Sequence, residues 1–223
     1  IRISLDQPDL FKTQLRAMLR AGIAYPNLSI LFPMISTVSE LTEALELLRC
    51  AETELREEGF PVQIPRVGLM VEVPSAVWKI DKLISMVDFA SIGSNDLTQY
   101  LLAVDRNNDR VAKLYDSLHP VVLAAIRHVI TQVQAAGRTV SVCGEMAGDP
   151  AAALLLMGMG IDSLSMNLGS LLKVKWMIRS VGYDEAQALL NEVIDLDTAT
   201  AIRERTNIFL DQHGLSGLLR VGK

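Results

Sequence analysis

The chain has 223 residues, 21 Lys and Arg against 26 Asp and Glu, a formal charge of -5 and a hydrophobic fraction of 50%. That balance points to one compact domain with a large core, excludes a disordered or fibrous chain, and offers no basic run to attract nucleic acid or an anionic membrane surface. No apolar run nears the roughly 20 residues that span a bilayer, "IRISLDQPDL" has no signal-peptide pattern, and Cys50 and Cys143 are too few for a disulfide framework, so a cytosolic chain with reduced thiols is expected.

In chain order, "IRISL" (1–5) reads as a β-rich run. "QPDLFKTQLRAMLRAG" follows as a helix, with Pro8 near its start, Phe11, Leu15, Met18 and Leu19 at helical spacing, and Gly22 as a stop. A second β-run, "LSILFPMI" (28–35), precedes the longest expected helix, "TVSELTEALELLRCAETELREEG". There Ser39 is the expected N-cap, Leu41, Ala44, Leu45 and Leu48 form the apolar face, and Gly59 terminates.

Further β-runs fall at 67–73, 89–94, 139–145 and 162–167, with helices expected at 75–86, 110–116, 120–136, 150–158 and 170–179. Most of the β-runs are dense in Val, Ile, Leu and Met without alternation, as expected of strands buried on both faces. Two amphipathic patterns then follow without a strand, "DEAQALLNEVIDL" and "TATAIRERTNIFLDQHG", and the Gly-rich "GLSGLLRVGK" is expected to fray or dock late.

Repeated β-then-α units predict an α/β fold with a parallel sheet, either a (βα)8 barrel or an open doubly wound sheet. No G-x-G-x-x-G follows the first β-run, which weighs against the dinucleotide-binding form. The expectation is one domain over 1–223, with βα units to 182 and C-terminal helices and tail from 183. Six strands make it a (βα)8 barrel truncated by two N-terminal units, whose free edges would pair or exchange between copies.

In such folds chemistry sits at the C-terminal ends of strands, and polar residues gather there. Glu72 ends "VGLMVE", Asn95 and Asp96 end "FASIGSND", Cys143, Gly144 and Glu145 end "VSVCGE", and Arg106 lies in the loop after the Asn-Asp strand. Glu72 and Asp96 suit Mg²⁺ or Mn²⁺ as hard oxygen ligands, or each caps a helix or meets a cation. Arg106 offers a fork for phosphate or carboxylate, or pairs with Asp105 or Asp109; Asn95 also fits an ordinary turn. Cys143 is either a small buried hydrophobe or a thiol acid able to give a proton to carbon. Met18, Met70, Met86, Met157, Met159 and Met166 read as core filling, and His119, His128 and His213 show no triad or zinc spacing.

"GLMVEVPSA", "FASIGSNDLTQYLLAVDRNN", "LYDSLHP" and "VCGEMAGDP" together resemble, in order and spacing, the C-terminal phosphoenolpyruvate-binding barrel of the PEP-utilising enzymes, in particular Enzyme I of the bacterial phosphotransferase system. The "VPS" after Glu72, the run from Ala103 to Pro120 and the "HGLSGLLRVGK" terminus look more like the nitrogen-related branch. The resemblance implies that Glu72 and Asp96 hold Mg²⁺, that Asn95 and Arg106 contact the PEP phosphate, and that Cys143 protonates the enolate carbon to give pyruvate. It also implies transfer of the phosphoryl group to a histidine of another domain and then to a small carrier protein, and a homodimer. The phosphohistidine, carrier-docking and sensor domains have no counterpart in this chain, and Arg2 is not assigned to the ligand. Two other readings stand beside it: a metal-dependent aldolase or lyase barrel acting through an enolate, and a non-catalytic dimerisation or regulatory module.

Overall fold

The structure, a computed structural model, describes residues 1–219. Two helices open it, α1 (Arg2–Asp6) and α2 (Pro8–Ala24), followed by β1 (Ser29–Phe32), α3 (Val38–Glu57), β2 (Arg66–Val71), α4 (Pro74–Val77), α5 (Ile80–Ile84), β3 (Phe89–Gly93), α6 (Ser94–Leu102) and α7 (Pro120–Ala135). The chain continues through β4 (Thr139–Cys143), α8 (Glu145–Gly148), α9 (Pro150–Gly158), β5 (Ser163–Ser165), α10 (Leu168–Ser180), α11 (Tyr183–Val193) and α12 (Ala199–Gln212).

The strands pair in parallel in the order β1-β2-β3-β4-β5. Every connection is a helical crossover, as parallel neighbours require. Sequential order without reversal is the topology of a barrel sector, because a doubly wound sheet reverses its strand order at a switch point. The fold is therefore α/β, five units of a (βα)8-type barrel among the described residues.

Five strands rather than six are present because "IRISL" is helical. Leu5 N donates to Ile1 O and Gln7 N to Ile3 O, so the segment satisfies its backbone within one turn, packed on α2 and α3, instead of pairing with β1. A run this short does not separate helix from strand by periodicity.

Four further expectations are corrected. The helix at 110–116 is a 3-10 turn at Ala112–Leu114, in a loop built from Asx turns at Asp105 and Asn108. The polar "SND", expected to be a strand end, begins α6. α2 runs past Gly22 to Ala24. α3 is capped by Thr37 rather than Ser39: Thr37 Oγ1 accepts from Glu40 N at 3.2 Å, and the Glu40 carboxylate takes the amides of Ser36 and Thr37. In the tail, Ser216–Leu219 form a 3-10 turn, and 220–223 lie outside the described residues.

Strand alternation divides the core. Leu69, Val71, Ala90, Ile92, Val140 and Val142 are buried toward the helices. The other face carries Met70, Ser91, Ser141 and Ser163 in register, and beyond them Gly93, Cys143 and Ser165. Ser141 Oγ donates to Ser91 Oγ at 3.0 Å, so this interior is polar below the strand ends.

α9 is apolar on every side because α8, α10, α11 and α12 all pack around it. Its fully buried Leu154, Leu155 and Leu156 each contribute about 1.5–3 kcal/mol of transfer free energy. Gly158 permits the approach of α11, since a Cβ there would lie 2.5 Å from Ala186 O. Among the described residues no helix is long and apolar enough to cross a membrane.

Candidate active site

The C-terminal ends of β2, β3 and β4 carry the site. Glu72 follows the last residue of β2 and is 4% exposed. Its Oε1 accepts from Met34 N at 2.7 Å, a donor aimed inward by the left-handed backbone of Met34 (φ 56°) in the turn after β1. Burial pushes the Glu72 carboxyl above its ordinary value; the Met34 amide opposes this, and the neighbouring charge of Asp96 adds to the rise.

β3 ends in Gly93, whose lack of a side chain makes room for Glu72: a Cβ there would lie 2.7 Å from Glu72 Oε2. The chain then turns at once into α6, so Asn95 and Asp96 occupy its first turn, where the exposed amides favour an acid. Ser94 Oγ donates to Cys143 O at 2.8 Å, tying this turn to β4.

Cys143 is the last residue of β4 and pairs with Gly93. It is half-buried, and its Sγ lies 3.5 Å from Ile92 O as a weak donor. Gly144 follows with φ 109°, a region costly for any side chain. A Cβ at Gly144 would fall 2.6 Å from Ser94 Oγ and 2.8 Å from Asn95 Oδ1. Glu145 N donates to Asn95 Oδ1 at 3.1 Å, fixing the carboxamide with its amino end free to donate elsewhere. Asn95, Gly144 and Glu145, with Ser165, Met166 and Asn167, line a cavity of about 290 Å³.

Arg106 sits in the loop after α6, where its backbone N donates to Gln99 Oε1 at 3.2 Å. The same loop returns Tyr115, whose hydroxyl donates to Asn95 O at 3.4 Å. Burial raises the Tyr115 phenol above its ordinary value, with the Thr98 hydroxyl and the Arg106 guanidinium acting against it and Glu145 with it. Arg106 is thus beside Tyr115, and Tyr115 is on Asn95.

All five residues expected from the sequence, Glu72, Asn95, Asp96, Arg106 and Cys143, lie at this end of the sheet or in the loop above it. The sequence reading did not single out Met34, Gly93, Ser94 or Tyr115. Gly93 and Gly144, each next to a chemically capable residue at a strand end, carried the usable signal. The histidines serve structure: His119 Nδ1 accepts from Val121 N, His128 packs on Trp78, and His213 stacks on Phe209.

Glu72 and Asp96 suit a hard divalent cation, since a buried acid raised by a second acid is a site a cation would relieve. No group of three or more His, Cys, Asp or Glu that could hold a metal occurs among the described residues. Two carboxylates with the remaining positions left to water and ligand oxygens is a normal provision for Mg²⁺.

A barrel sector with two acids, an amide and a thiol on neighbouring strand ends defines the class: a (βα)8-type protein whose ligand face is the C-terminal end of its strands. The chain belongs to the PEP-utilising enzyme family, whose PEP-binding domain matches residues 1–183.

The chain is 45% identical over 223 residues to proteins of Salmonella typhimurium and Escherichia coli named "Phosphoenolpyruvate-dependent phosphotransferase system", covering 100% of this chain and 30% of each relative. It is 44% identical to a phosphoenolpyruvate-protein phosphotransferase of Haemophilus influenzae, covering 97% of this chain and 38% of that protein. The chain spans about a third of the length of the curated relatives it matches.

Among solved structures, a citrate lyase of Burkholderia xenovorans aligns with TM-score 0.55 at 16% identity, over 94% of this chain and 73% of that one. An HpcH/HpaI aldolase/citrate lyase family protein of Burkholderia cenocepacia aligns with TM-score 0.51 at 22% identity, over 83% and 69%. At these identities the likeness is one of fold.

Proposed function

We propose that this chain is the PEP-binding and enolate-protonating part of a phosphoenolpyruvate-protein phosphotransferase of the Enzyme I type. The observation that carries the reading is the meeting of Glu72, Asn95 with Asp96, and Cys143 on three adjacent parallel strand ends, locked by the Glu145 N to Asn95 Oδ1 bond. Glu72 and Asp96 would hold Mg²⁺, or Mn²⁺ equally well by ligand type, and the cation would neutralise phosphate and enolate charge.

Asn95 donates its amide to the phosphate, and Arg106 supplies a permanent charge beside it. The P–O bond of PEP breaks as a bond forms between phosphorus and a histidine nitrogen elsewhere in the whole protein, leaving the enolate of pyruvate. Cys143 gives its thiol proton to the enolate carbon, releasing pyruvate, and solvent reprotonates the thiolate. Most of the acceleration comes from positioning and charge stabilisation, as is general for phosphoryl transfer. The histidine passes the phosphoryl group to a small carrier protein. The nitrogen-related branch and a homodimer accompany this reading, on the strength of the motifs described above. The lyase alternative is not favoured, because the matching family is that of PEP-utilising enzymes and the relatives at 40–45% identity carry phosphotransferase names.

Calorimetric titration of PEP with and without Mg²⁺, into the chain and into Asp96→Asn, tests the assignment. Mg²⁺-dependent binding that the variant loses supports it. Binding that appears only in the full-length protein keeps the assignment but makes the site depend on the rest of the barrel. No binding in either overturns it.

A further inference from the structure

Arg203, on α12, is far from the catalytic groups in sequence but joined to them by two short routes. Its Nη2 donates to Asp116 Oδ1 at 3.2 Å and its Nη1 to Asp149 Oδ2 at 3.1 Å. Each acid already shapes a turn: Asp116 Oδ1 accepts from Leu118 N at 2.9 Å, and Asp149 Oδ1 caps α9 by accepting from Ala151 N at 3.0 Å.

Both routes end on Asn95. Asp116 adjoins Tyr115, whose hydroxyl donates to Asn95 O at 3.4 Å. Asp149 closes the short α8 turn that begins at Glu145, whose amide donates to Asn95 Oδ1 at 3.1 Å. A planar guanidinium can serve two acids at fixed angles in a way an ammonium cannot. With its side chain 39% exposed, the pair would add little to stability by itself, so its consequence is geometric.

We infer that Arg203 is a positioning residue for the ligand site: it clamps the Arg106–Tyr115 loop and the Cys143–Asp149 turn to α12, and so holds Asn95 in register for an anionic ligand. The inference rests on the reading of the site as a PEP site. It also makes α12 a lever on ligand affinity, because anything that moves this helix moves both supports of Asn95.

The test uses the full-length phosphotransferase with Arg203→Gln, Asp116→Asn and their double variant, each checked for an unchanged circular dichroism spectrum. Arg203→Gln should raise the KM for PEP about tenfold, short of the hundredfold that a 1 Å misplacement can cost, with kcat changed less than about twofold. Asp116→Asn should do the same, and the double variant should be no worse than either single one. Arg203→Lys should recover only part of the affinity.

Amide hydrogen exchange at Glu145 is read in parallel and should quicken about tenfold in Arg203→Gln, as expected when a local opening becomes easier. A lowered melting temperature with KM and Glu145 exchange both unchanged would make Arg203 a purely structural tie and overturn the inference. Wild-type protein that takes no PEP while Glu145 exchange still responds would overturn the substrate and leave the clamp established.

Discussion

Asn95 Oδ1 and Gly144 are in such close apposition that a Cβ at 144 would lie 2.8 Å from that oxygen, while the next amide, Glu145 N, donates to it at 3.1 Å. The glycine is what lets the β4 turn close over the β3 turn. Its φ of 109° adds a second reason why no side chain belongs there.

Gly144→Ala should therefore both strain the turn and push the Asn95 carboxamide aside. The expected loss is about 1–3 kcal/mol of unfolding free energy, read by urea denaturation. PEP affinity should fall at least about tenfold in calorimetry, the direction expected when a binding group is misplaced. Normal affinity in a destabilised protein would show that Asn95 does not depend on this turn.

The parallel architecture was legible because its signals repeat: apolar β-runs alternate with helical patterns that carry their own starts and stops. The errors fell where one signal stood alone. "IRISL" has two β-branched residues and no partner strand to settle its state, and it folds as α1. The Asn-Asp block begins α6, because Leu97 and Leu101, four apart, lie behind polar residues that look like a loop. The place of Glu72, Asp96 and Cys143 at the C-terminal ends of the strands was legible in the sequence. Tyr115 and Arg203 were not, since each acts through a contact made across the fold, 20 and 87 residues away in sequence.

The capping box of α3 gives a pH dependence with a definite sign. Burial pushes the Glu40 carboxyl up, but the bonds from Ser36 and Thr37 together outweigh it and hold the group below its ordinary 4.5. The folded state thus binds fewer protons than the unfolded state as pH falls, so this contribution is fully present above 4.5 and is lost as pH drops through the lower folded value. Glu40→Gln should cost about 1 kcal/mol at pH 7, the scale of a lost helix cap, and the gap to wild type should close in acid. Denaturation curves at pH 7, 5 and 3 check this, and a gap that widens in acid would contradict it.

Glu72 has the opposite sign. Its carboxyl is raised in the fold, so without a cation its contribution to stability is lost as pH climbs from 4.5 through the folded value. Glu72→Gln keeps an acceptor for Met34 N and removes the buried charge, so the metal-free variant should be at least as stable as wild type at neutral pH. Mg²⁺ at a hundredfold excess over its Kd should stabilise wild type by about 2.7 kcal/mol and leave the variant unmoved. Thermal melts with and without Mg²⁺ read both effects, and an equal Mg²⁺ response in the two proteins would remove Glu72 from the cation site.

Cys143 offers the sharpest separation of binding from chemistry. Its carbonyl accepts from Ser94 Oγ and its thiol lies 3.5 Å from Ile92 O, so the backbone that supports Asn95 does not depend on the sulfur. Cys143→Ala should leave PEP affinity within about threefold, since only the thiol is removed, while pyruvate formation falls about 10²–10⁴-fold, the range for losing a positioned general acid. Pre-steady-state mixing would then show phosphoryl transfer to the histidine proceeding ahead of pyruvate, because the phosphorus step precedes protonation. Pyruvate released at the wild-type rate would instead make Cys143 a packing residue and send the carbon proton to another donor or to water.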